Sequence, residues 1–334
     1  MNKEELYIIT NESFNNENNL FFCDNIDLKS IPEELNKYCK VNIIGRKSKI
    51  KRSKLVKLSS INIFKNILSY IIFILKTGLK KKANYLIISI SPYTFLASLI
   101  LKILNQKHFI YLRSDGYEEY KSIFGFFGPI IYHVMFTIAS YKSDLISCRK
   151  HILKNKKGNI VNPSQLNNQW FDFKNKLKHK KINLLYVGRL RVEKGIFSLL
   201  QMLKNSSLEL TIVTSEKEVF FENKDKNVSI ITFQNYNNSI IKFYDEHAIF
   251  ILPSYTEAHP QVLDEALARR KPVIIFKEIS HVVRDRKGIF ISERNIKSLK
   301  KTIDYISNNY DKIIKNIEKN ILPTKSKFIS ELKN

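Results

Sequence analysis

The residue types best suited to chemistry gather in the second half of the chain. In LLYVGRLRVEKGIFSLL (184–200) a strand-like run ends at Gly188, Arg189 and Lys194 follow, and a helix opens near Gly195. A glycine at the end of a buried strand lets the chain turn tightly. Two cations five residues apart across that turn can converge on a diphosphate, Arg through its planar fork and Lys as a point charge. In ILPSYTEAHPQVLDEALARRKPVIIF (251–276) a strand leads into a loop with Glu257, Ala258 and His259, and Pro260 suits the first turn of a helix. The backbone N–H groups near Gln261 and Val262, at the positive end of that helix, offer a seat for a phosphate. Glu265, eight residues beyond Glu257, can accept hydrogen bonds from a ribose, and Glu257 from sugar hydroxyls. Both stretches equally fit ordinary strand-to-helix loops with solvated charges, and spacing alone leaves the two readings open.

The elements that must position these residues are legible as an alternation. Strand-like runs occur at 6–10, 41–45, 85–90, 108–112 and 144–147, and again at 182–187, 208–213, 228–232, 249–253, 272–276 and 288–292. Helical stretches separate them, which predicts α/β architecture with parallel sheets covered on both faces. A length of 334 residues fits about two domains at roughly 150 residues each. The expected division is a first doubly wound, Rossmann-like domain at 1–165, a polar linker at 166–181 and a second at 182–320. Two such domains face each other across a cleft at the carboxyl ends of their strands, where ligands of this fold type bind.

Charge narrows the partners. Lys and Arg number 56 against 31 Asp and Glu, a net +25, while 44% of residues are hydrophobic, as in a globular protein. Of the basic residues only 11 are Arg, so part of the excess fits a genome rich in Lys codons. One stretch does not reduce to that. Leu35 to Ser114 holds no acid in 80 residues and 17 basic side chains, including GRKSKIKRSKLVK (45–57) and LKKK (79–82) around the apolar run 67–75. Such clusters are attracted to an anionic membrane at about 1 kcal/mol per Lys or Arg. Nucleic acid is not expected: Arg and aromatic residues are not interleaved, and no binding-module signature occurs. Windows 85–101 and 122–141 are uncharged, but Pro92 breaks the first into strand and helix. The second, with Gly125, Gly128, Pro129 and His133, reads as a buried or interfacial helix, so no transmembrane helix is expected. Three scattered cysteines, Cys23, Cys39 and Cys148, form no framework and suit a reducing compartment. The N-terminus lacks the basic start and apolar run of a secretory signal.

Together with EISHVVRDRKGIFIS (278–292), the two chemical segments resemble the donor-binding half of the retaining GT-B-fold glycosyltransferases of family 4, glycosyltransferase group 1. The family pattern G-R-x-x-x-x-K-G falls on Gly188, Arg189, Lys194 and Gly195. The pattern P-S-x-x-E-x-x-P-x-x-x-x-E-A falls on Pro253, Ser254, Glu257, Pro260, Glu265 and Ala266, with P-V at Pro272 and Val273. The match covers 182–292, a third of the chain. More loosely, 160–171 resembles the interdomain segment, and 324–332 the final helix, which implies that 321–334 packs back on the first domain. Three departures stand out. Ala258 replaces the usual Gly, Arg269 and Arg270 replace a small residue and Gly before Lys271, and Thr10-Asn11-Glu12-Ser13 replaces a Gly-Gly loop after the first strand.

The resemblance implies a nucleotide-sugar donor whose diphosphate is held by Gly188, Arg189, Lys194 and Val262. It places the ribose on Glu265 and the transferred sugar on Glu257, Ala258 and His259, with Glu257 catalytic. No D-x-D occurs, so no metal or other cofactor is expected, and Arg189 with Lys194 would replace the metal. Asp115, followed by Gly116, is a further catalytic candidate and equally a turn-forming Asp-Gly. Trp170, the single Trp, reads as packing near the domain junction. The implied activity is retaining sugar transfer to a lipid-linked or cell-surface glycan acceptor, by a cytoplasmic enzyme peripheral to the inner face of a bacterial membrane. Alternatives are a nucleotide-sugar 2-epimerase of the same fold and a non-catalytic GT-B-like subunit that binds a partner or membrane.

Overall fold

The structure, a computed structural model, describes residues 4–80, 83–173, 182–214, 226–232 and 239–333. It divides into two units: Met1–Asn162 with Lys327–Asn334, and Pro163–Ser326. Residues 163–173 therefore belong to the second unit and are not a free-standing linker; 174–181 of the expected linker lie outside the described residues.

In the first unit the strands are β1 (Glu5–Glu17), β2 (Leu20–Cys23), β3 (Lys40–Lys47), β4 (Lys54–Val56) and β5 (Ile61–Phe64). They continue with β6 (Ala83–Ile88), β7 (His108–Leu112), β8 (Asp144–Ser147) and β9 (Asn159–Ile160). The helices are α1 (Ile26–Leu35), α2 (Ile67–Gly78), α3 (Pro92–Ile103), α4 (Gly116–Phe124) and α5 (Gly128–Ser140). A parallel sheet runs β5–β3–β1–β6–β7–β8–β9. Its central strands are buried apolar runs because helices cover both faces of such a sheet. Local chemistry starts the helices: Asn25, Asn66, Ser91 and Asp115 accept backbone N–H bonds as N-caps, and Pro92 occupies the first turn of α3.

The basic block 45–57 folds differently from a cluster beside a helix. The far half of β1, which is polar and unreadable as a core strand, pairs antiparallel with β2, and β2 with β4. That extension brings acids from distant sequence onto the block: Arg52 pairs with Asp24 at 2.7 Å and Lys51 with Glu17 at 3.1 Å. Lys80 pairs with Glu5 at 2.9 Å, while Lys81 and Lys82 lie outside the described residues. The acid-free stretch is thus partly neutralised by tertiary contact.

In the second unit the strands are β10 (Asn183–Val187), β11 (Glu209–Thr214), β12 (Val228–Thr232), β13 (Ile249–Leu252), β14 (Val273–Phe276) and β15 (Ile289–Ser292). The helices are α6 (Ile196–Leu203), α7 (Ser239–Glu246), α8 (Gln261–Ala268), α9 (Ile296–Asn308) and α10 (Tyr310–Ile317). α11 (Lys325–Lys333) ends the chain; its Phe328 and Ile329 are buried in the core of the first unit with Ile8, Ile43 and Tyr111. The second sheet is parallel, ordered β12–β11–β10–β13–β14–β15. Strand order reverses between β10 and β13, and that switch point is where a doubly wound sheet opens a crevice for ligand.

The two arginines that depart from the family pattern have a structural role. Arg270 adopts φ 56°, the left-handed conformation that favours glycine. Arg269 is buried, and its Nε and Nη2 donate to the two Asp245 oxygens, each at 2.8 Å. Its Nη1 donates to the carbonyls of Trp170 and Asp172 at 3.0 and 2.9 Å, and both guanidinium groups lie over the Phe173 ring. Trp170 packs edge-on against Tyr244, 5.5 Å between centroids. Replacing Arg269 with Ala leaves Asp245 and two carbonyls without their donor, so Arg269→Ala is expected to cost about 2–4 kcal/mol in urea unfolding.

Candidate functional site

At the switch point two loops meet. Gly188 follows β10, and its N–H donates to the Val213 carbonyl of β11 at 3.0 Å, prolonging the sheet by one residue. The Tyr186 hydroxyl reaches past it to donate to the Arg189 carbonyl at 2.7 Å, which fixes the start of the turn and leaves the Arg189 side chain exposed. The turn closes at Gly195, φ 65°, where a Cβ would stand 1.9 Å from the Pro253 carbonyl oxygen. Only glycine lets the backbone after β10 touch the backbone after β13 so closely. The Tyr255 N–H donates to the Glu193 carbonyl at 3.0 Å and joins the loops a second time.

That contact sets Lys194 against Glu257. Lys194 Nζ lies 2.6 Å from Glu257 Oε1, and Ser254 Oγ donates to the same oxygen at 2.7 Å. His281 Nε2 lies 2.8 Å from the Glu257 carbonyl, tying the loop to the segment after β14. α8 then begins at Gln261 with Pro260 as N-cap, a residue that makes no side-chain cap bond, and the positive end of the helix lies near Val262. Gly188, Arg189, Lys194, Glu257, Ala258 and Val262 are thus carried by two adjoining loops and one helix start.

Two of the expected site residues take other partners. The His259 side chain is buried, with Nε2 3.3 Å from Asp264 Oδ2, and Asp264 is also bonded by Arg286. His259 therefore faces the interior of α8's surroundings and not the Glu257 carboxylate. In the first unit Asp115 caps α4: one oxygen accepts the Tyr117 N–H at 3.0 Å and the other is 2.8 Å from Lys154. Its carboxylate is occupied as a helix cap.

Arg294, which sequence reasoning passed over, clamps the site from the loop after β15. Its Nη2 donates to the Pro253 carbonyl at 2.9 Å and its Nε to Glu278 at 2.7 Å. The guanidinium lies 4.2 and 4.4 Å from the Tyr255 and Phe276 ring centroids. Its only sequence signal was a cation directly after the last strand of the sheet.

Glu265 is buried on α8, and Tyr244 donates to its carboxylate at 2.8 Å. Burial pushes its pKa up to about 7, with the Tyr244 bond opposing the rise and the neighbouring Asp264 charge adding to it. A carboxyl held near neutrality inside the fold stabilises most at low pH, below its unfolded value of 4.5, and this contribution is lost as pH rises through 7. Glu265→Gln, neutral at every pH, is therefore expected to melt higher than the native chain at pH 8 and nearly equal to it at pH 5. The difference amounts to on the order of 3 kcal/mol in thermal unfolding without ligand.

With this geometry in hand, comparison with known proteins places the second unit. Residues 168–321 match the family model for glycosyl transferases group 1. An uncharacterized glycosyltransferase of Haemophilus influenzae is 32% identical over 150 residues, 41% of this chain and 42% of that protein. The capsular polysaccharide biosynthesis glycosyltransferase CapM of Staphylococcus aureus is 28% identical over 158 residues, 40% of this chain and 41% of that protein. The chain thus spans about two fifths of the length of these curated relatives. Across the whole chain the fold is similar to the Anabaena protein HepE in complex with UDP, at a TM-score of 0.67, 12% identity and 94% and 92% coverage of the two chains. The chain therefore has the GT-B fold of two Rossmann-like, parallel-sheet domains, and its second domain matches the group 1 glycosyl transferases.

Proposed function

We propose that this chain is a retaining glycosyltransferase that moves a sugar from a nucleotide-sugar donor to a lipid-linked or cell-surface glycan acceptor. The observation that carries the reading is the junction at the switch point of the second sheet. There the Gly188–Gly195 turn and the Pro253–Glu257 loop touch, bringing together a lysine, a carboxylate and a helix start. The similarity to a capsular polysaccharide glycosyltransferase supports polysaccharide assembly as the setting.

In this reading the donor diphosphate lies against Arg189, Lys194 and the Val262 backbone, and the ribose hydroxyls donate to Glu265 in exchange for the Tyr244 bond. Glu257 takes the hydroxyls of the transferred sugar, with Ala258 bounding the space beside it. Lys194 and Glu257 hold each other without ligand and separate their tasks when a phosphate and a sugar arrive. As the glycosidic bond breaks, negative charge grows on the phosphate and positive character on the sugar. Preorganised cations and N–H groups at the phosphate stabilise that state more than the ground state. Arg189 and Lys194 supply the charge that a metal supplies in other transferases, and no metal or other cofactor is needed. The acceptor hydroxyl attacks from the face the diphosphate leaves, retaining configuration, and the reaction takes place at the cytoplasmic face of a membrane to which the enzyme binds peripherally.

Lys194→Ala is expected to lower kcat/KM for sugar transfer or donor hydrolysis by about 100-fold or more, with the unfolding midpoint unchanged. Arg189→Ala is expected to act in the same direction. Unchanged turnover in both variants would refute the diphosphate assignment. Nuclear magnetic resonance of the product separates the alternatives: nucleoside diphosphate release with the anomeric configuration kept supports transfer. Change at C2 of the sugar makes the chain an epimerase, and activity insensitive to a chelator is the outcome expected of a cationic site.

A further inference from the structure

The stretch Gly116–Ser140 is 25 residues long, and an 18-residue window within it has a mean hydropathy of 1.6, long and apolar enough to cross a membrane by length and composition. It does not run as one helix. The chain turns at Gly125, φ 58°, and α4 and α5 pack on each other. The inward face of α5, Tyr132, Met135, Phe136 and Ala139, is buried, and Tyr117 packs edge-on and Tyr120 tilted against Tyr132, at 5.0 and 5.3 Å between centroids. The outward face is largely apolar: Ile130, Ile131, Val134 and Ile138 are exposed, with His133 and Thr137 the polar residues among them. At the turn Phe124 is exposed too, and Phe126 and Phe127 are 81% and 66% exposed. Around Gly125 a Cβ would meet nothing within 4 Å, so the turn stands in open space.

Exposed apolar residues along a helix whose other face is already packed favour a second nonpolar phase, and nothing among the described residues supplies it on the outward side. The surface extends sideways: α5 packs beside α3, and α3 beside α2, where Leu68, Ile72 and Leu75, and Leu79 just past its end, are exposed. Its margin is basic. Lys65, Lys76, Lys121 and Lys142 are exposed and make no ion pair among the described residues, and Lys142 lies over the Tyr141 ring at 5.4 Å. The acids of α4, Glu118 and Glu119, sit on its first turn, at the opposite end from Phe124.

We propose that the Phe124–Phe127 turn and the outward face of α5 form a bilayer-docking surface that inserts into the headgroup region of an anionic membrane. The apolar turn and helix face enter the boundary between headgroups and acyl chains, and the marginal lysines meet lipid phosphates. The packed inward face holds the insertion at the interface, because crossing the bilayer would require α5 to pull Tyr132 and Phe136 away from Tyr117 and Tyr120 of α4. This deepens the membrane reading above and is independent of the transfer chemistry. It moves the contact from the partly neutralised block 45–57 to the α4–α5 hairpin.

The test is flotation with vesicles of phosphatidylglycerol and phosphatidylethanolamine, against phosphatidylcholine alone. The native chain is expected to float with the anionic vesicles and to retain part of that binding at about 0.5 M salt, where surface charges are screened. Phe126→Glu with Phe127→Glu is expected to reduce binding about tenfold or more, while nucleotide-sugar thermal stabilisation stays unchanged. Phe126→Trp, whose only other indole is the buried Trp170, is expected to shift its emission to the blue on vesicle addition. Flotation without that shift, or complete loss of binding in salt, overturns insertion and leaves a purely electrostatic contact. No flotation at all overturns both membrane readings. Native dimers that become monomers in the double variant, with vesicle binding unaffected, assign the face to a second copy instead.

Discussion

Much of the second unit depends on one close approach, Gly195 against the Pro253 carbonyl. Parallel strands in a doubly wound sheet end at the same edge, and at the switch point the loops leaving β10 and β13 depart toward opposite faces. They can touch only if one lacks a side chain where they cross. A left-handed glycine with no Cβ satisfies both demands, and the Lys194–Glu257 pair at 2.6 Å follows from it. Arg294 then closes the third side by bonding the same Pro253 carbonyl from the loop after β15. Cations, carboxylate and helix start therefore share a backbone whose geometry is set before any ligand arrives.

The burial of charge around α8 has a different logic. Glu265, Asp264 and His259 are enclosed; Glu265 is tied to Tyr244 of α7 and Asp264 to Arg286 beyond β14, while His259 lies beside Asp264. Buried polar groups are costly unless bonded, and these bonds align α8 against its neighbours at the expense of some stability. Glu265 is the weak point of that arrangement, since its donor among the described residues is a tyrosine hydroxyl and burial raises its pKa to about 7. A ligand bringing two hydroxyl donors meets a carboxylate already positioned to accept them.

Sequence periodicity located the core strands, because parallel strands buried on both faces must be continuous apolar runs. It did not find β2, β4, the far half of β1, or the short parallel strands β5 and β9. The far half of β1 is polar and β2 and β4 are only three or four residues long, so none of them shows a strand pattern; they pair antiparallel beside ion pairs between residues far apart in the chain. The same contacts qualify the charge reading: a stretch without acids is not an unopposed positive surface once Asp24 and Glu17 fold onto it. The stretch 122–141 was ambiguous for a related reason. Hydropathy records that α5 is largely apolar on both faces, and only the packing tells which face is covered.

The sequence by itself determined the alternation of elements, the Gly-Arg and Lys-Gly turn, the Pro-Ser to Glu-Ala segment and hence the group of proteins this chain resembles. These are local properties, written in spacing and residue type. Tertiary structure decided which charges meet. It turned His259 inward to Asp264 and made Asp115 a helix cap bound to Lys154. It also recruited Arg269 to hold the 169–173 segment and brought Arg294 to the site from more than forty residues beyond Pro253. Partners of a charged side chain are chosen by distance in space, and spacing along the chain carries no record of that distance until the sheet order is known.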